Sequence, residues 1–101
     1  MVNMGHSLSS AQFLMESRMV KAAGGDINAY FDLGIAYSAG ADGVDVDLVQ
    51  AHKWFNLASV GGSVRAQEWR AEIAEEMTAR EIAEAQRQAR AWLQLSSRQA
   101  A

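Results

Sequence analysis

The acidic residues between positions 26 and 47 are the part of the chain whose chemistry best suits a metal ion. The stretch holds five aspartates and no Lys or Arg, so it should present a negative surface. Asp42, Asp45 and Asp47 offer oxygen ligands of the kind that Ca²⁺ prefers. However, the alternating acids, central glycine and terminal glutamate of an EF-hand loop are missing. We therefore interpret the stretch as a solvated loop in which Asp47 caps a helix, and expect no metal site.

Catalytic groups are the second kind of chemistry to consider. The chain has no cysteine, no serine in a nucleophile-elbow pattern and no glycine-rich phosphate loop. His6 and His52 are far apart, and neither has a second His or Cys at ligand spacing. The glutamates between positions 68 and 84 lie among arginines, as on a solvated helix face. We expect neither an enzyme nor a cofactor, and we expect His52 to be exposed at a binding face.

Three tryptophans could supply an aromatic binding surface, because tryptophan is favoured at interaction hot spots. Their helical spacing favours packing in the core instead, most clearly for Trp54. Trp92 is the weakest core candidate because it lies near a chain end. We therefore keep Trp92 as a candidate partner-binding residue.

Composition limits the class of protein. The 101 residues are 50% apolar and 21% charged, which is typical of a single folded domain. The net charge of −3 argues against a nucleic-acid partner. Residues 1–10 lack the features of a secretory signal, and no apolar run is long enough to suggest a membrane partner. With no cysteine to form disulfides, these features predict a cytoplasmic protein.

The glycines divide the chain into short helices and predict an all-α fold of about five helices. The predicted helices cover about residues 10–23, 27–39, 47–60, 63–77 and 78–95. Their predicted N-caps are Ser9 or Ser10, Asp26, Asp47, Ser63 and Thr78. Residues 1–9 are predicted to be a flexible N-terminus and residues 96–101 a flexible tail, on either side of a single domain over residues 10–95.

Apolar residues three or four positions apart predict the inner face of each helix. In chain order these are Phe13, Met15, Met19, Val20 and Ala23; Ile27, Tyr30, Leu33 or Gly34, and Tyr37; Leu48, Ala51, Trp54, Phe55 and Ala58; Ala66, Trp69 or Arg70, Ile73 and Met77; and Ile82, Ala85, Ala89, Trp92 and Leu93. A glycine inside a helix is unfavourable, and a close helix contact would explain Gly34.

The chain also contains an internal repeat. Residues 24–29 and 61–66 share one layout of two glycines, a capping residue, a branched apolar residue, a polar residue and alanine. The two segments are 37 positions apart, from 24 to 61, which suits a pair of helices with their loops.

Around this repeat the sequence resembles the Sel1-like repeats, relatives of the tetratricopeptide repeats. The family pattern is Ala-x-x-x-Leu-Gly-x-x-Tyr, a loop with Gly-Val-x-x-Asp, and Ala-x-x-Trp-x-x-x-Ala-x-x-x-Gly. It is matched by Ala29, Leu33, Gly34, Tyr37, Gly40, Gly43, Val44, Asp47, Ala51, Trp54, Ala58 and Gly61 or Gly62. Two positions depart from it: the loop has two residues between Gly40 and Gly43, and Ser59 replaces a frequent alanine.

The resemblance implies a short α-α superhelix with one complete repeat over residues 29–62. The first helix would close a preceding repeat, and the last two helices would cap the stack. It also implies an adaptor that binds a protein or peptide partner through a short concave surface, with Asn28, Tyr30 and Asp32 along it. Two alternatives remain: a homo-oligomer formed through the C-terminal stripe from Ile82 to Trp92, and a small enzyme.

Overall fold

The structure, a computed structural model, describes the backbone of residues 2–100 and the side chains of residues 10–97. This part of the chain forms five helices and no strand: α1 (Val2–Ala23), α2 (Ile27–Ala39), α3 (Leu48–Val60), α4 (Val64–Ala74) and α5 (Ala79–Ala100). The all-α class with about five helices is confirmed. Among these five, no helix combines the length and the apolar character needed to cross a membrane.

Capping side chains fix the starts of the three central helices, as predicted. The Asp26 carboxylate accepts hydrogen bonds from two backbone N–H groups of the first turn of α2. Asp47 accepts from the N–H of Gln50, and the Ser63 hydroxyl accepts from the N–H of Ala66. Each bond satisfies a donor that has no partner within the helix.

The start of α5 is fixed by the predicted capping box. The Thr78 N–H donates to the Glu81 carboxylate over 2.8 Å, and the Glu81 N–H donates to the Thr78 hydroxyl over 3.1 Å. Helix α4 ends at Ala74 rather than near Met77. The backbone N–H groups of residues 75–77 donate to carbonyls three residues earlier, and these hydrogen bonds form a turn in place of a further α-helical turn. Met77 then packs against the core, and α5 folds back onto α3.

Both terminal helices are longer than predicted. Helix α1 begins at Val2, so Ser9 and Ser10 lie inside it and do not cap it, and α5 continues to Ala100. Most of residues 1–9 and 96–101 is therefore helical, while Met1 and Ala101 lie outside the described residues. The flexibility of these two segments stays a prediction.

The core lies where α2, α3 and α5 meet. Four side chains are under 2% exposed and are the largest buried groups: Trp54, Phe55, Leu33 and Leu57. Alanines fill the close contacts, including Ala51 and Ala58 on α3 and Ala85 and Ala89 on α5. Helix α3 contacts α2, α4 and α5 and is therefore the central helix of the fold.

The predicted inner face of α1 is largely wrong. Phe13 and Val20 are each 73% exposed, and among the α1 side chains that the structure describes, from residue 10 onward, Ala22 is the fully buried one. Met15 is half-buried and packs against the core. The physical reason is that α1 packs chiefly on α2, so a narrow strip suffices and the rest of its apolar side faces outward.

Gly34 marks the closest approach of α2 to α3. A Cβ atom at this position would lie 2.5 Å from two ring carbons of Phe55, well inside van der Waals contact. The helix contact predicted for this glycine is confirmed. Gly34 therefore lets the Phe55 ring pack flat against the backbone of α2.

Candidate partner-binding groove

A groove lies between α2 and α4, which both pack on α3. Beneath it lies the ring of Phe55, which is fully buried and has no surface open to the groove. On one side the Phe31 ring lies 5.6 Å from that of Phe55, and on the other the Trp69 ring stacks on it at 6.0 Å between centroids. Trp69 is 37% exposed, so a large aromatic surface borders the groove. We call this feature the α2–α4 groove.

The end of the groove nearer the C-termini of α2 and α4 is an apolar cleft of about 600 Å³ with an acidic rim. Ile35 and Val46 contribute to its apolar lining together with Trp69. The remaining lining residues include three glutamates of α4 and the turn after it: Glu72, Glu75 and Glu76. Within residues 10–97 none of these carboxylates forms an ion pair or accepts a side-chain hydrogen bond. They are therefore free to meet a positive group.

The opposite end of the groove carries a positive charge. A smaller cleft of about 450 Å³ is lined by residues that include Asn28, Phe31 and Arg65. The Arg65 guanidinium lies 5.0 Å from the centroid of the Phe31 ring, a cation–π contact. The groove thus has an arginine at one end and three glutamates at the other.

Of the five predicted partner-binding residues, Asn28 alone lines the groove. Asp32 is exposed on α2 one turn further along, outside the lining of both clefts. Tyr30 of α2 and His52 of α3 are buried, and Trp92 of α5 is half-buried against the core. The sequence pattern predicted the helix to which each residue belongs, but not whether its side chain faces the groove or the core.

Tyr30 does not line the α2–α4 groove and instead contributes to a separate pocket beside α5. Tyr30 is 5% exposed because α5 covers it. Its hydroxyl accepts a hydrogen bond from the indole N–H of Trp92 over 3.2 Å, and its ring stacks on Trp54 at 5.9 Å. Tyr30 therefore joins α2, α3 and α5.

The expectation that His52 is exposed is wrong. His52 is 4% exposed, and its Nδ1 atom has no hydrogen-bond partner in the described part of the chain. Burial, together with the positive charge of Arg70 on α4, lowers the pKa of the imidazole below 6.5. This buried position therefore favours the neutral form of the His52 imidazole.

Trp92 is half-buried and packs into the core from α5, so little of its ring is open to a partner. Its ring meets that of Trp54 edge-on at 4.9 Å. The ammonium group of Lys53 lies 4.4 Å from the Trp54 ring and 5.4 Å from the Trp92 ring. Burial lowers the pKa of Lys53. These contacts hold α5 on α3, as core packing of the tryptophans predicts.

The C-terminal stripe is occupied within the chain. Ala85 and Ala89 are buried against α3, and Gln88 of α5 accepts a hydrogen bond from Gln50 of α3 over 2.9 Å. A second copy could pair with this stripe only after α5 had left α3. The homo-oligomer alternative would need another surface.

The acidic stretch is partly neutralised in the fold. Asp26 and Asp47 are helix caps, and Asp42 forms an ion pair with Arg18 of α1. No group of three metal-binding side chains lies together among the residues that the structure describes. On α5, hydrogen bonds from Arg87 and Gln88 lower the pKa of the Glu84 carboxyl to about 2, on a surface away from both clefts.

The two repeat segments have the same local structure. In each, the second glycine has a positive φ, +84° at Gly25 and +108° at Gly62, and the following residue is an extended N-cap. The N–H of that cap donates to a carbonyl five residues earlier in both copies. Ala29 and Ala66 are both buried where helices meet. The two junctions are thus equivalent in hydrogen bonding as well as in sequence.

Comparison of the chain with protein-family models, with curated proteins and with solved structures gives no match. The assignment of the site therefore depends on its geometry alone.

The lining residues that sequence reasoning missed include Phe31, Ile35 and Arg65. Their spacing held a usable signal, because Phe31 and Ile35 are one helical turn apart and Asn28 is three residues before Phe31. These positions form a second apolar face on α2, beside the inner face. Helix α2 contacts both α1 and α3, so this second face does not by itself identify the groove.

Proposed function

We propose that this chain is a protein-interaction module that binds a peptide or helical segment of another protein in the α2–α4 groove. The observation that carries the proposal is the partly exposed aromatic and aliphatic lining of the groove, bordered by charged side chains. An apolar centre with a polar rim is the usual composition of a protein interface. Adaptor function in the cytoplasm is part of the same proposal.

The equivalent glycine junctions support a repeat arrangement of the Sel1-like kind. In such an arrangement α2 and α4 would be the corresponding first helices of successive pairs, and the groove between them would be the concave surface. Because the described chain has one complete pair, preceded by α1 and followed by α4 and α5, the surface is short. A single peptide segment fits it better than a long wrapped partner.

Selection of random peptides displayed on phage tests the proposal. We expect peptides enriched on the wild-type chain to lose binding when Trp69→Ala removes the aromatic border. Val20→Ala, a truncation of an exposed apolar residue of α1 outside the groove, is the matched control. Thermal melts followed by circular dichroism establish that both variants are folded.

The proposal fails if the enriched peptides bind the folded Trp69→Ala variant as tightly as the wild-type chain. It also fails if Val20→Ala abolishes binding while Trp69→Ala does not, because the contact would then lie on α1. Failure to enrich any peptide over an uncoated surface would count against a peptide ligand altogether.

A further inference from the structure

We propose that the segment bound in the α2–α4 groove is a basic amphipathic one, with an apolar side chain in the cleft and Lys or Arg facing the glutamates. The inference rests on the proposed function and adds the chemistry of the partner. It follows from the shape of the cleft and the charges around it.

The lining of the cleft favours an apolar side chain of the partner. Ile35, Val46 and Trp69 line a volume of about 600 Å³, enough for one large aliphatic or aromatic side chain with part of its backbone. Val46 is 59% exposed and Trp69 is 37% exposed. A partner that covered both would remove apolar surface from water at this point. The anchor of the bound segment is therefore apolar.

The rim of the cleft carries negative charge. Glu72, Glu75 and Glu76 border the cleft without a positive partner among the described side chains. Burying them beneath an apolar or acidic segment would leave carboxylates desolvated and unpaired, which is unfavourable. A Lys or Arg one helical turn from the anchor would pair with them, so charge complementarity selects a basic segment.

The other end of the groove gives the segment a direction. Arg65 lies over Phe31 at the far end and has no carboxylate partner within the described chain. An acidic side chain or a terminal carboxylate of the partner would be favoured there. The bound segment would therefore place its basic residues toward the turn after α4 and its acidic end toward the start of α4.

Two synthetic peptides test the inference. The first is an amphipathic peptide of Leu and Lys spaced for a helix, and the second replaces each Lys with Glu. We expect the Lys peptide to bind the wild-type chain more tightly in calorimetry, and the difference to shrink in added salt. Glu76→Lys should weaken binding of the Lys peptide by roughly fivefold, the size expected for an exposed ion pair.

The matched control is Glu16→Lys on α1, an exposed residue away from the groove. It changes the net charge as Glu76→Lys does, so it should leave the affinity unchanged within about twofold if the contact is local. Reversing all three rim glutamates should transfer the preference to the Glu peptide.

Equal loss in the Glu16→Lys and Glu76→Lys variants would overturn the inference, because the attraction would then come from the net charge of the whole chain. Equal affinity for both peptides would also overturn it. If that equal binding is lost in Trp69→Ala, the groove still binds peptides and the proposed function survives. If neither peptide binds the wild-type chain, the inference fails while peptide selection still decides the proposed function.

Discussion

Replacing Gly34 with alanine tests how α2 and α3 pack beneath the groove. Alanine normally stabilises a helix interior by about 1 kcal/mol relative to glycine. Here the added Cβ would meet the Phe55 ring at 2.5 Å, and the nearby Cγ of that ring at 2.9 Å. Because the contact reaches the base of a fully buried ring, Phe55 cannot rotate away and the helices must shift.

The two effects have opposite signs, and the clash should be the larger. Overpacking of a core typically destabilises by about 1–3 kcal/mol, against the gain of about 1 kcal/mol from helix propensity. We expect Gly34→Ala to lower the free energy of unfolding by about 1 kcal/mol. For a domain of this size, that corresponds to a fall in Tm of roughly 4–8 °C.

A double-mutant cycle with Phe55→Leu isolates the cause. Leucine lacks the flat ring that meets the added methyl group, so in that background Gly34→Ala should be neutral or stabilise by up to about 1 kcal/mol. Urea unfolding followed by tryptophan fluorescence measures all four chains. Stabilisation of the wild-type chain by Gly34→Ala, or the same effect in both backgrounds, would refute the packing argument.

Three further changes test other contacts. Burial lowers the pKa of His52, so between that lowered pKa and 6.5 the unfolded chain binds more protons than the folded chain. The free energy of unfolding should therefore fall as the pH drops below 6.5. His52→Leu should reduce this loss, which urea unfolding at several pH values measures. Tyr30→Phe leaves the Trp92 indole N–H without its acceptor and should destabilise by about 1 kcal/mol in urea unfolding, whereas no change would indicate that the bond does not contribute. Thr78→Ala breaks the capping box with Glu81 and should also lower stability by about 1 kcal/mol, seen as a lower Tm; an unchanged Tm would contradict the role of the cap.

Local signals in the sequence were enough to predict the central helices. Capping residues and glycine turns act within a few residues of one another, and the bounds of α2 and α3 follow from Asp26, Asp47 and the glycines after each helix. The predicted inner faces of α3 and α5 also agree with the fold, apart from the half-buried Leu48, Ile82 and Trp92 and the exposed Leu93.

The binding surface could not be predicted as well, because it depends on how helices pack. Tyr30 and His52 have polar atoms and fit a surface by composition, yet the return of α5 and the docking of α4 on α3 bury them. Conversely, Phe31 and Ile35 read as ordinary apolar residues, and only the separation of α2 from α4 makes them the wall of a groove. The spacing of these two residues indicates a second apolar face on α2, but the local pattern does not show which helix lies across from that face.

Mapping a bound peptide by nuclear magnetic resonance tests the central claim most directly. A peptide enriched by phage selection would be titrated into isotope-labelled protein while amide and indole signals are followed. Binding in the α2–α4 groove predicts that the largest shifts occur at Ile35, Trp69 and Glu76, with little change on the outer side of α1. Shifts confined to Phe13 and Val20, with the Trp69 indole signal unmoved, would contradict the claim that this groove is the partner-binding surface.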